Sequence, residues 1–96
     1  MKLIVREPPP GGFAPDMWHY LEDSDGSYLY VNCEQSAASF PVIIRFNAEE
    51  CAEYHELGWT FLQYLAAKIN YWPSRYSARK VNAVLQAEAE AAIRRG

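Results

Sequence analysis

Polar and apolar residues alternate cleanly from Ser27 to Glu34, with Leu29, Val31 and Cys33 on one side and Tyr28, Tyr30 and Asn32 on the other. That period of two is the signature of a strand. Met17 to Asp23 alternates less regularly, and Asp23-Ser24-Asp25-Gly26 joins the two runs with the Asp-Gly signal of a tight hairpin. Pairing across the turn sets Tyr20 opposite Val31 and Trp18 opposite Cys33. It gathers Trp18, Tyr20, Leu29, Val31 and Cys33 on a core face. The other face carries Met17, His19, Leu21, Tyr28, Tyr30 and Asn32, unusually apolar for a solvated surface. Residues 35–39 are small and polar and suit a second turn. A third strand follows, with Phe40, Val42, Ile44 and Phe46 on one side. Pro41 cannot donate to a ladder, so this strand lies at a sheet edge or starts beyond the proline.

After Phe46 the spacing changes to three and four. Asn47 can cap a helix and Glu50 can reach back to it, a capping box. Tyr54, Leu57, Phe61, Leu65 and Ile69 then form an apolar stripe, opposite Glu49, Glu53, Glu56, Thr60, Gln63 and Asn70. The pattern predicts one amphipathic helix of about six turns. It ends near Tyr71, because Pro73 biases the residue before it away from helical geometry. A second helix, capped by Ser74 or Ser77, is expected to bury Val81, Val84, Leu85, Ala92 and Ile93. Ala83, Ala87, Ala89, Ala91 and Ala92 favour helix, and Arg94 and Arg95 suit the negative end of its dipole.

Residues 2–6 suit a short edge strand, and Pro8-Pro9-Pro10-Gly11-Gly12 interrupts any regular structure. The organisation that follows is an N-terminal arm over residues 1–16 and a single α+β domain over 17–96. Its architecture is a three-stranded antiparallel meander followed by two helices packed on one face of the sheet. Phe61 and Leu65 are expected against Leu29, Val31 and Ile44.

Composition adds bounds. Half of the 96 residues are hydrophobic and 22% are charged, which fits a folded domain and argues against disorder. The aromatic share of 15% leans towards a binding role, because Tyr and Trp combine an apolar body with a polar tip. Cys33 and Cys51 make no disulfide framework. Leu3-Ile4-Val5 is too short an apolar run for a signal peptide, and nothing approaches the roughly 18 apolar residues of a membrane span. The expectation is a cytoplasmic protein with reduced thiols and no membrane partner.

Candidate chemistry is sparse. Cys51 and His55 have the four-residue spacing of two metal ligands on a helix, and His19 and Cys33 would complete a set. The strand pairing puts those last two on opposite sheet faces, so no metal is expected. Glu49, Glu50 and Glu53 around Cys51 disfavour a thiolate, and no oxyanion-hole motif accompanies it. Neither enzymatic activity nor a cofactor is expected. The acidic run itself is read as the solvated first turns of a helix, where the dipole favours negative charge.

KINYWPSRYSARK, Lys68 to Lys80, gathers four cations and three aromatic rings with no acid. As a corner between helices it would bury Trp72 and leave Arg75, Arg79 and Lys80 in water. Alternatively, Lys68, Tyr71, Arg75, Tyr76, Arg79 and Lys80 would bind single-stranded nucleic acid or a phosphate ligand by stacking and charge. Setting aside its four cations leaves five basic residues against twelve acids, a field that repels nucleic acid. The function expected is therefore a small acidic module that binds another protein or a second copy of itself. Leu21, Tyr28 and Tyr30 on the second sheet face form its partner surface. By size and charge it is comparable with inhibitor and immunity proteins that cover a basic site.

Overall fold

The Asp23 carboxylate closes the first hairpin, accepting from the backbone N–H of Asp25 at 2.8 Å and of Gly26 at 2.9 Å. In the computed structural model, which describes residues 1–6, 18–35 and 38–95, Ser24 and Asp25 form the turn and Asp23 pairs with Gly26. The register is therefore shifted by two residues from the expected pairing, with Trp18 opposite Val31 and Tyr20 opposite Leu29. A shift of two preserves which side chains share a face. A Cβ on Gly26 would lie 2.9 Å from Arg45 Nε, at the far end of a flexible side chain. The same guanidinium donates to the Asp25 carbonyl.

Four strands pair antiparallel in chain order: β1 (Lys2–Arg6), β2 (Trp18–Asp23), β3 (Gly26–Gln35) and β4 (Ala38–Arg45). Residues 2–6 thus make a fourth strand where three were expected, with a bulge between Leu3 and Val5. β4, which contains Pro41, is an edge strand. The expected Pro8–Gly12 arm lies outside the described residues, as does Met17.

Asn47 caps α1 (Ala48–Leu57) with a complete capping box: its Oδ1 accepts from Glu50 N at 2.8 Å and its N–H donates to Glu50 Oε1 at 2.9 Å. The single long helix is not formed. Gly58, at φ 61 and ψ −133, ends α1 and starts α2 (Trp59–Tyr71). That region of backbone space is essentially open to glycine alone. The break takes Leu57 out of the stripe and leaves it exposed, while Phe61, Leu62, Leu65, Ala66 and Ile69 are buried. They pack with Trp18, Tyr20, Leu29, Val31, Cys33, Val42 and Ile44 into the main core, which includes the expected contact of Phe61 and Leu65 with this sheet face.

Pro73–Arg79 is a 3₁₀ helix, so neither Ser74 nor Ser77 caps the last α-helix. Beyond it the chain runs along the free edge of β4, where Lys80 bridges to Ile44 and Val81 N–H donates to the Ile43 carbonyl at 2.9 Å. This passage carries the chain to the opposite side of the sheet. There α3 (Ala83–Arg95) begins, its Leu85 N–H capped by Asn82 Oδ1 at 2.9 Å. Ala89 and Ala92 pack against Leu21, Tyr28 and Ile43, with Val81, Leu85 and Ile93 beside them and Val84 exposed. The two-helices-on-one-face arrangement is thus corrected. The sheet has an apolar side chain set on each face, and each face receives a helix.

Candidate binding surface

Covering the second sheet face changes the status of the residues expected to meet a partner. Leu21 and Tyr28 are buried beneath α3, and Tyr30 is half-buried beside it. Burial and the nearby Asp23 carboxylate raise the Tyr28 hydroxyl's pKa, and burial does the same for Tyr30. The reason for expecting a partner there, an apolar face without a cover, no longer holds.

Exposed apolar surface lies elsewhere. Among the described residues the large apolar side chains left exposed are Ile4, Leu57, Trp59, Tyr64, Tyr71, Trp72 and Val84. Five of these fall between positions 57 and 72, which concentrates them on α2 and its two ends. On α2 the inward residues are fixed by the core, so Tyr64, Lys68 and Tyr71, at spacings of four and three, line its outward side. Lys68 Nζ sits 5.2 Å from the Tyr64 ring centre. Tyr71, 73% exposed, lies 5.9 Å from the Trp72 ring, and the Arg75 guanidinium lies 4.9 Å over Trp72. Two cations thus rest on two aromatic faces, the geometry of a cation–π contact. Trp59, at the other end, leans on Trp18 at 6.1 Å, and Trp18 Nε1 donates to Gln63 Oε1 at 2.8 Å.

The corner is held by residues other than the expected one. Trp72 is 47% exposed, and Tyr76 is the ring that enters the core. A tryptophan at the end of α2 follows Tyr71 around the outward side, whereas the 3₁₀ helix turns Tyr76 inward. Arg79 does not point into water. It reaches back to Glu50 with contacts of 2.9 Å and 2.5 Å, and donates to the Arg45 carbonyl at 3.0 Å. The Glu50 carboxylate raises the guanidinium pKa further. Of the six residues weighed for nucleic acid, Lys68, Tyr71 and Arg75 share the outward surface. Tyr76 is buried, Arg79 is tied to α1, and Lys80 is exposed at the β4 edge. Tyr64, Trp59 and Leu57 were missed as surface residues. The 64, 68, 71, 75 spacing was the available signal.

α1 contributes the opposite charge. Glu49, Glu53 and Glu56 are exposed and follow one another at spacings of four and three, while Tyr54 is the side chain through which α1 meets the core. Its ring lies 4.5 Å from that of Tyr20 and 6.3 Å from that of Phe46.

No protein-family model, curated protein or solved structure matches the chain. Cys33 is buried with its Sγ 3.7 Å from the Ile69 carbonyl, and burial raises the thiol's pKa against the opposing pull of Lys80. His19 lies on the α3 side of the sheet, its ring 5.7 Å from Tyr30. Cys51 is exposed on α1. Among the described residues no three His, Cys, Asp or Glu side chains are grouped to hold a metal, and no helix is long and apolar enough to cross a membrane. A cavity of about 220 Å³ between β1 and the end of α3 is lined by Met1, Lys2, Leu3, Ala92 and Arg95, away from the α2 surface.

Proposed function

We propose that this chain is a protein-binding module whose contact surface is the outward side of α2 with the start of the 3₁₀ helix. The observation that carries the reading is the exposure of Tyr64, Tyr71 and Trp72 together, beside Lys68 and Arg75. Tyrosine, tryptophan and arginine are the residue types that dominate binding energy at protein interfaces. Exposed apolar rings clustered on one element cost free energy in water, and burying them against a partner recovers it. The rings are held in place by their cation neighbours and by a helix whose other side is locked in the core, so little ordering is left for the moment of binding.

Single-strand nucleic acid is a second reading, favoured by one observation: Trp72 is an open stacking platform with Arg75 already on its face. The exposed carboxylates of α1 on the same side of the sheet oppose it.

A photo-crosslinking amino acid at position 71, with position 87 on α3 as control, tests both readings in cells. The expected result is crosslinked protein from position 71 and none from position 87. Crosslinks to RNA or DNA from position 71 would make the second reading the function. Products from position 87 alone would remove the surface from α2.

A further inference from the structure

We infer that the partner seated on this surface is a second copy of the chain, arranged about a two-fold axis so that the acidic line of α1 meets the basic-aromatic line of α2 in both directions. The inference rests on the α2 surface being a protein contact, and it names the occupant.

The argument is charge complementarity within one layer. α1 and α2 lie on the same face of the sheet, since Tyr54 and the buried side of α2 join one core. Their outward sides are therefore presented together. One carries Glu49, Glu53 and Glu56; the other carries Tyr64, Lys68 and Tyr71, continued by Arg75. Both series step by four and three, so each forms a line along its helix. A two-fold interface is self-complementary: if α1 of one copy contacts α2 of its partner, the reciprocal contact follows. Such a packing sets three carboxylates against an ammonium, a guanidinium and two phenolic hydroxyls, and it does so twice. The aromatic rings supply the apolar area between the charges, and the exposed Leu57 and Trp59 lie at the junction of the two helices. A foreign protein would need this alternation of signs by its own design; a second copy possesses it already. Glu50 takes no part, because it is held by Arg79.

Charge arranged this way gives a test that does not require knowing which carboxylate meets which cation. One variant, Lys68→Glu with Arg75→Glu, makes both lines acidic. Another, Glu53→Lys with Glu56→Lys, makes both basic. The four substituted residues lie outside the core, and circular dichroism confirms that each variant is folded. By sedimentation equilibrium the unaltered chain should approach twice its mass of 11.0 kDa at micromolar concentrations. The association should weaken as salt screens the contacts. Each variant alone should fall to the mass of one chain, through like-charge repulsion at both contacts. Mixed in equal amounts, the two should recover the doubled mass, since every acidic line then faces a basic one.

A monomeric unaltered chain would overturn the inference, as would variants that still self-associate or a mixture that stays monomeric. Crosslinking from position 71 to a different protein, with the chain monomeric, would leave the binding surface standing and remove the second copy as its occupant.

Discussion

Arg75 and Arg79 are four residues apart in one basic segment, yet the structure gives them unlike roles. Arg79 is part-buried, grips Glu50 with both nitrogens and donates to the Arg45 carbonyl, which ties the start of α1 to the 3₁₀ helix and to the end of β4. Arg75 rests on an exposed ring. Arg79→Ala should therefore destabilise the fold by roughly 1–2 kcal/mol, the range for part-buried, charge-assisted contacts. Arg75→Ala should stay within about 0.5 kcal/mol. Urea titration of both variants checks this; equal losses would contradict the assignment. The cysteines divide in the same manner. Cys51 should react with a thiol reagent in the folded protein, and Cys33 only when the chain unfolds, since it is buried and its thiol is held neutral. Mass spectrometry after native and denatured labelling reads the difference. The cysteine contrast was legible in the sequence, since strand alternation puts Cys33 on the core face and Cys51 lies in an acidic, solvated helix turn. The arginine contrast was not, because charge gives a residue's type and only tertiary packing gives its neighbour.

At the scale of elements, the local signals located most segments and missed two turns of direction. The alternation of β2 and β3, the capping box at Asn47 and the buried positions 61, 65 and 69 are all consequences of short-range rules, and the structure follows them. Gly58 is the first miss. A periodic stripe runs straight through it in sequence, and only a backbone at φ 61 reveals that the helix restarts there. No side chain crowds this position, as nothing lies within 4 Å of a built Cβ. Gly58→Ala should thus cost stability through backbone strain alone, roughly 1–3 kcal/mol. Thermal unfolding measures it; an unchanged midpoint would mean α1 and α2 can join as one continuous helix. The second miss is the side on which α3 lands. Its alanines read as helix formers, and their packing role depends on Leu21, Tyr28 and Ile43 being apolar on the far face. That apolar face was legible, but an apolar face can be covered by a partner or by the chain itself. The route along the β4 edge through Lys80 and Val81 decided it.

For the whole molecule, the consequence is an exchange of surfaces. With α2 on one side of the sheet and α3 on the other, the Tyr28 ring expected outside is inside, and the Trp72 ring expected to anchor the corner is outside. The account depends on that exchange, and Tyr28 and Tyr71 test it as a pair. Equilibrium unfolding of Tyr28→Ser and Tyr71→Ser should be measured side by side, at concentrations low enough for the chain to be monomeric. Tyr28→Ser should lose roughly 3–5 kcal/mol, as expected for removing a buried ring. Tyr71→Ser should remain within about 0.5 kcal/mol of the unaltered protein. A small loss at Tyr28 with a large one at Tyr71 would put the binding surface back on the sheet and contradict the account.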